Sequence, residues 1–428
     1  MDILTVKKKV LKIKRQELGV YLVIFVFVLS QFVEINLFSV GETLVSLQKV
    51  LAILCYPAAV LLMGRLKIKP VLVVFTLFLW AAFVLALFLS GDIGAILSAS
   101  VIVMVGFFGS IVVYTALSVN LIAGMRYLAS LWIKFSLLSS VVAVLQAIGR
   151  FPLLTVSDDL QNMRDVTTGY FRGVGFKFDP NFLALMLALA VPFILAYVPK
   201  WHIRLFDLLV VFAGILATFS RMGLLLAGMS FVMFILLNAK KKSSLRVMFL
   251  GFAIVSMAAI AIFLSAETVR TYVVSRILDV TDFFYVLFTG DVPTGWFSSA
   301  AARAILLRAA FQSAVENWLT GVGAFQTQKT IGDVSGLENV SHNTYVEIFL
   351  IGGITGIFAL LIYLFTLMSI NLKLRKLKTD GIQTVILINW VIIFAGIFLS
   401  LAYNSVFWFP LSLSLATQSV RNKPGVAS

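Results

Sequence analysis

Cysteine and histidine are nearly absent from this chain, with one Cys and two His in 428 residues. A lone Cys55, set in an apolar run, excludes an internal disulfide and says nothing about redox compartment. Two histidines and one cysteine leave a structural zinc site without enough ligands. Charge is scarce as well: Asp, Glu, Lys and Arg make up 12% of the residues, about half of what a soluble domain carries. The acidic share is the smaller, 19 Asp and Glu against 34 Lys and Arg. The basic start, Lys7 to Arg15, leads directly into an apolar run with no small-residue cleavage site, so the first helix is expected to stay as an anchor.

What remains is apolar. Hydrophobic residues reach 61% and mean hydropathy is +1.04. Apolar runs of roughly 17–25 residues, the length of a bilayer helix, recur along the chain. The expected fold is an all-α polytopic membrane protein of about 12 transmembrane helices, without an internal repeat of fixed period or a soluble domain. The formal charge of +15 could suggest a nucleic-acid partner. Most of it instead falls in short clusters between alternate spans, which is the positive-inside pattern, and no nucleic acid is expected.

Reading spans first and basic clusters second gives helices at 18–37, 43–63, 71–90, 95–118, 128–148, 180–198, 205–219, 222–238, 247–265, 344–370, 382–402 and 406–419. Both termini come out cytoplasmic. Cytoplasmic turns carry Arg65, Lys67 and Lys69, then Arg126, Lys200 to Arg204, Lys240 to Arg246, and Lys373 to Lys378. The loops 149–178 and 266–343 face outward. The second is long enough to be structured.

Three outward elements concentrate polar chemistry. Asp179 before Pro180 reads as an N-cap with proline at the first helical position. That helix start, with Arg172 and Lys177 just ahead of it, suits an anion; equally, the two cations suit snorkelling to lipid head groups. Ser220-Arg221 is a tight turn whose arginine is costly against lipid and useful in a cavity. In the helix from Ser298 to Leu319, Arg308, Gln312 and Glu316 make a solvated stripe. Arg303 aligns with Leu307, Phe311 and Val315, an apolar stripe that must pack on protein or membrane. Arg303 is therefore the arginine expected to turn inward and to need an anion.

Gly321-Val-Gly323 reads as the stop of that helix. His342 follows, flanked by Ser341, Asn343, Tyr345 and Glu347, at the mouth of the span 344–370. The other histidine, His202 beside Trp201, reads as interfacial. Several cations and one titratable base at head-group level suit a lipid diphosphate: guanidinium groups bind its oxygens and stabilise its departure, and histidine can deprotonate an attacking hydroxyl. The outward side has no suitable Asp-x-Asp pair, and nucleotide sugars would lie across the membrane, which disfavours a metal-dependent sugar-nucleotide transferase.

These residues resemble the O-antigen ligase and polymerase superfamily of bacterial membrane glycosyltransferases. The resemblance rests on Arg172 ahead of Phe178-Asp-Pro-Asn181, on Ser220-Arg221-Met-Gly223, and on Arg303 followed by Gly321-Val-Gly323, Ser341-His342-Asn343-Thr-Tyr345, Gly352-Gly353 and Gly356. It covers roughly 170–360. It implies a fold similar to GT-C-type transferases that use polyprenyl-linked donors without metal or other cofactor. Arg172, Arg221 and Arg303 would hold the diphosphate, His342 and Arg303 would be catalytic, and Lys177, Asn181, Asn343 and Tyr345 would support them. The implied setting is the bacterial cytoplasmic (inner) membrane with a periplasmic active face. The implied partners are membrane lipids, an undecaprenyl-diphosphate-linked oligosaccharide donor and a glycan or lipid A core acceptor; a chain-length regulator follows from the resemblance alone. The expected activity is a polysaccharide polymerase, with an O-antigen ligase as the alternative. A lipid-linked oligosaccharide transporter is a second alternative, disfavoured by the structured outward loop and by the expectation of no broken helices in matching halves.

Overall fold

The structure, a computed structural model, describes residues 3–34, 36–40, 43–152, 171–237, 274, 278, 281–291, 299–375 and 380–421. In chain order these form α1 (Ile3–Phe32), β1 (Asn36–Val40), β2 (Thr43–Ser46), α2 (Leu47–Met63), α3 (Pro70–Ser90), α4 (Ile93–Val119), α5 (Leu121–Ala147), α6 (Pro180–Tyr197), α7 (Trp201–Ala217) and α8 (Arg221–Leu237). After these come α9 (Ser299–Glu316), α10 (Thr327–Ser335), α11 (Thr344–Leu374), α12 (Asp380–Phe398), a 3-10 turn (Ser405–Phe407) and α13 (Phe409–Arg421). Residues 281–289 are helical too, with 279–280 and 292–298 undescribed on either side of 281–291.

Among the described residues, seven helical segments are long and apolar enough to cross a membrane: Lys14–Phe32, α3, α4, α5, α6, α11 and Gly381–Phe398. The chain is thus a polytopic helical membrane protein. The expected twelve spans are not all of that kind. The expected span 247–265 lies outside the described residues. Helices α2, α7 and α8 have 17 residues and α13 has 13, and at 1.5 Å per residue they reach only about 26 Å and 20 Å, short of a core of roughly 30 Å.

Two boundaries are corrected. The span expected over 43–63 begins only at Leu47, because Asn36–Val40 and Thr43–Ser46 pair as an antiparallel hairpin. That stretch is rich in the β-branched and aromatic residues that favour strands. The span expected over 128–148 begins at Leu121, where the Asn120 side chain accepts from the Ala123 amide and caps the helix. Arg126 therefore lies inside α5 and not in a turn.

Helix α6 is the axis of the bundle. It is apolar on every side, which suits a helix surrounded by others, and 78% of its span is buried. It packs against α5, α7, α8 and α12. Trp132 of α5 lies at the centre, its indole N–H donating to the Met186 carbonyl at 3.0 Å and its ring against Phe27, Phe32, Phe193 and Phe409. Leu61, Leu89, Phe108 and Phe365 stay exposed on the outside of the bundle, where a lipid surround accounts for them.

Helix α11 is broken, contrary to the expectation of continuous spans. Gly353 has φ 52 and ψ −133 inside it, a conformation only glycine takes without strain. The break frees backbone carbonyls at membrane depth, which must find donors. The Gly-Val-Gly segment supplies them: the Val322 amide donates to Leu350 and the Gly323 amide to Ile351, both at 2.9 Å, while Ala324 donates to Phe83 of α3 at 3.0 Å. A Cβ on Gly353 would lie 2.6 Å from the Trp318 carbonyl oxygen and 2.7 Å from the Gly321 nitrogen. Gly321-Val-Gly323 is thus more than a helix stop. It plugs the gap in α11.

Candidate functional site

One end of the bundle gathers the polar residues singled out in the sequence. Asp179 caps α6 as expected, accepting from the Asn181 amide at 2.6 Å and the Phe182 amide at 3.4 Å. Arg172 lies over this cap. Its Nε donates to the Thr218 carbonyl at 3.0 Å and a terminal nitrogen donates to the Asn181 side-chain oxygen at 3.1 Å. One edge of the guanidinium is therefore fixed on protein, which orients the group before any ligand arrives.

The turn that holds Arg172 also launches Arg221. Thr218 and Ser220 are buried, and the Ser220 amide donates to the Thr218 hydroxyl at 3.2 Å. Phe219 between them has φ 51. Arg221 then opens α8, and Gly223 lets α8 approach α6 so closely that an added Cβ would lie 2.5 Å from the Ala184 methyl.

Lys177 has a different partner. It is buried and pairs with Glu34, just beyond α1, at 3.5 Å, and the Glu34 amide donates to the Phe176 carbonyl. Lys177 ties the end of α1 to the segment before α6. Glu34 was not legible as its partner in the sequence.

On the far side, α11 begins at Asn343, whose side-chain oxygen accepts from the Tyr345 and Val346 amides at 3.0 Å each. Its amide nitrogen donates to the Ile397 carbonyl, the Thr344 hydroxyl bridges the Leu399 carbonyl and the Leu401 amide, and the Tyr345 hydroxyl donates to the Ile393 carbonyl. Asn343 and Tyr345 thus bind the start of α11 to the end of α12. His342, next to this anchor, has φ 53. Among the described residues only Phe219, Phe325 and His342 combine a side chain with positive φ, and all three lie in loop segments at or next to the sequence motifs. Each costs roughly 1–2 kcal/mol in backbone strain, the kind of expense found at functional sites.

His342 and Arg303 are electrostatic neighbours. Burial pushes the His342 imidazole down, the Arg303 guanidinium pushes it further, and the Asp179 carboxylate pulls it back up; it settles at about 4 against an ordinary 6.5. At neutral pH the imidazole is uncharged and has a lone pair available to accept a proton. Asp179 is in the same field as His342, so α6, α9 and α11 converge here.

The apolar stripe of α9, expected to pack on protein or membrane, is mostly off the protein. Phe311 and Val315, which share the Arg303 stripe, are exposed, as are Trp318 and Leu319. The buried residues are Leu306 and a set of small ones, Ala300, Ala301, Ala304, Ala309, Ala310, Ser313 and Ala314, which let helices approach closely. Arg303 is half-buried at the edge of that face. The solvated stripe is as expected, with Arg308 exposed and Gln312 donating to Glu316 at 3.0 Å. His202 and Trp201 are exposed, as an interfacial pair should be.

Gln146 escaped the sequence reading, and Glu347 entered it only as a flank of His342. Gln146, 1% exposed, accepts from the Val174 and Gly175 amides at 2.9 and 2.8 Å and donates to the Gly175 carbonyl at 2.9 Å. It clamps the backbone just after Arg172; its only signal was a lone amide in the last turn of an apolar helix. Glu347, one turn into α11, is fully buried, and neither carboxyl oxygen has a hydrogen-bond partner among the described residues.

Residues 206–361 match the family model described as O-antigen ligase. The matched stretch contains Arg221, Arg303 and His342, while Arg172, Lys177 and Asn181 lie ahead of it. Among curated proteins none matches the chain.

Proposed function

Starting from membership in the O-antigen ligase and polymerase superfamily, we propose that this chain is a polysaccharide polymerase of the bacterial inner membrane, with a GT-C-like helical body and its active face periplasmic. The observation that carries the reading is the joint field of Arg303 and Asp179 on a neutral, buried-edge His342. A hydroxyl oxygen of the acceptor glycan attacks the anomeric carbon of an undecaprenyl-diphosphate-linked oligosaccharide. The bond from that carbon to the diphosphate oxygen breaks, its electron pair leaves with the diphosphate, and the configuration inverts. The hydroxyl proton goes to His342. Arg172, Arg221 and Arg303 take the charge of the departing diphosphate, the role of cationic donors aimed at developing charge.

A ligase reading, with lipid A core as acceptor, is equally compatible with the match to the O-antigen ligase family. The polymerase reading takes a second lipid-linked repeat unit as acceptor. The surface-glycan profile of a deletion strain separates them. Loss of long chains with single repeats still attached to the core means polymerase; uncapped cores with polymer retained on the lipid carrier mean ligase. Complementation with Arg303→Ala or His342→Ala, made at wild-type levels, should fail to restore polymer. A normal ladder from both variants would refute the site and favour a transporter.

A further inference from the structure

A cleft of about 510 Å³ opens at one end of the bundle. It is lined by Ser90 and Asp92 at the junction of α3 and α4, by Val322, and by Gln326, Lys329, Thr330 and Asp333 in and just before α10. That volume falls in the range of small-molecule sites, roughly 300–1,000 Å³. The mechanism above uses none of these residues.

The packing of α3 on α11 sets the level of the cleft. Phe75 meets Tyr363 and Phe78 meets Phe358, with ring centroids 5.6 and 5.9 Å apart, and a Cβ on Gly352 would run into Ala82. The two helices are therefore antiparallel. Eight residues on from Ala82 stands Ser90, and eight residues back from Gly352 stands Thr344, next but one to His342. The cleft and His342 thus share one end of the bundle and one level. They are close sideways too. The Val322 amide donates to Leu350 of α11 at 2.9 Å, and Ile331 of α10 packs in one cluster with Leu350 and with Leu306 of α9, the helix of Arg303. Packed helices lie roughly 8–10 Å apart, a gap that a short glycan crosses.

The lining selects the ligand. The Ser90 and Thr330 hydroxyls donate to the Leu87 and Gln326 carbonyls at 2.9 Å each, which leaves their oxygens as acceptors. Asp92 and Asp333 add exposed carboxylates, while Lys329 and the Gln326 amide are the side-chain donors of the lining. A diphosphate or a lipid phosphate brings more acceptors and more negative charge, and this lining turns it away. A glycan brings hydroxyl donors. Arg172 and Arg221 belong to the other flank, since α6 and α8 pack on α12 whereas α3 packs on α11 and α4. With the diphosphate on that flank, the cleft is left for the partner that supplies the hydroxyl. We propose that the cleft binds the non-reacting sugars of the acceptor glycan and so aims its reacting hydroxyl at His342. This rests on the glycosyl-transfer reading above and makes Asp333, Asp92 and Gln326 specificity residues for the acceptor.

The test uses purified full-length protein in lipid nanodiscs. The donor is the undecaprenyl-diphosphate-linked repeat unit extracted from the deletion strain, and the varied acceptor is the same repeat unit freed of its lipid. Asp333→Ala removes a carboxylate from α10 with a residue that favours the helix, and Ser90→Trp fills the cleft from α3. Gln328→Ala, exposed on α10 and outside the lining, is the control. Asp333→Ala should raise acceptor KM about tenfold, the consequence of losing hydrogen bonds to a charged group, and Ser90→Trp at least as much. Their kcat, donor KM and slow hydrolysis of donor by water should stay at the wild-type level, as should every constant of Gln328→Ala. Calorimetry without donor should show the freed repeat unit binding wild type and Gln328→Ala, and binding both cleft variants more weakly. Acceptor KM and binding unchanged in both cleft variants, or a donor KM that rises in step with acceptor KM, would overturn the proposal. Failure of the parent reading looks different, with wild-type protein neither transferring nor hydrolysing the donor.

Discussion

Arg303→Gln should raise the proton affinity of His342, and the chain is well suited to measuring it. His342 is held at about 4, with burial the larger cause and Arg303 the next. A unit charge at roughly 10 Å through an effective dielectric of about 20 is worth about 1.7 kcal/mol, a little more than one pH unit. Removing the guanidinium should therefore move the His342 midpoint up by about one pH unit, leaving it still below 6.5 because burial persists. Asp179→Asn should move it the other way, since that carboxylate favours the imidazolium, and asparagine keeps the cap on α6. With two histidines in the sequence, His202→Gln leaves a single imidazole, so 15N-histidine labelling in nanodiscs reports His342 alone. A wild-type midpoint between 6 and 7, an Arg303→Gln midpoint that stays put or falls, or an Asp179→Asn midpoint that rises would refute the convergence of α6, α9 and α11.

Because the folded-state value of His342 lies below the unfolded one, its contribution to stability is present above about pH 6.5 and lost as pH falls towards 4; thermal midpoints over that window should fall less steeply for His342→Gln. Gly353→Ala should prevent folding, since a Cβ there meets the Trp318 and Gly321 backbone at 2.6–2.7 Å, whereas Gly64→Ala, with φ 65 but open space, should cost only about 1–2 kcal/mol; detergent-stable yield and thermal midpoint compare the two. Gln146→Leu strips three hydrogen bonds from residues 174–175 and should raise donor KM several-fold through Arg172, with purified-enzyme kinetics as the check.

Long apolar helices, the Asp179-Pro180 cap and the solvated stripe of Arg308, Gln312 and Glu316 all follow from local rules, and all were legible in the sequence. What escaped depends on contacts between distant segments. Gly321-Val-Gly323 has the look of a helix end, and only the break at Gly353 shows that its amides are needed elsewhere. The Arg303 stripe was equally ambiguous: periodicity identifies an apolar face but cannot tell protein from lipid, and the alanine face won the packing because it permits closer approach. Lys177 was open to an anion or to lipid head groups because its partner, Glu34, lies more than a hundred residues away. Gln146 and Glu347 carry no motif of their own; they become conspicuous through burial.

The most direct test of the central claim is transfer by purified protein in nanodiscs supplied with the undecaprenyl-diphosphate-linked repeat unit, followed by product mass. The account expects wild type to yield longer glycan and free undecaprenyl diphosphate in equal amounts, and His342→Ala and Arg303→Ala, folded to the wild-type midpoint, to yield neither. Full turnover by both variants would contradict it.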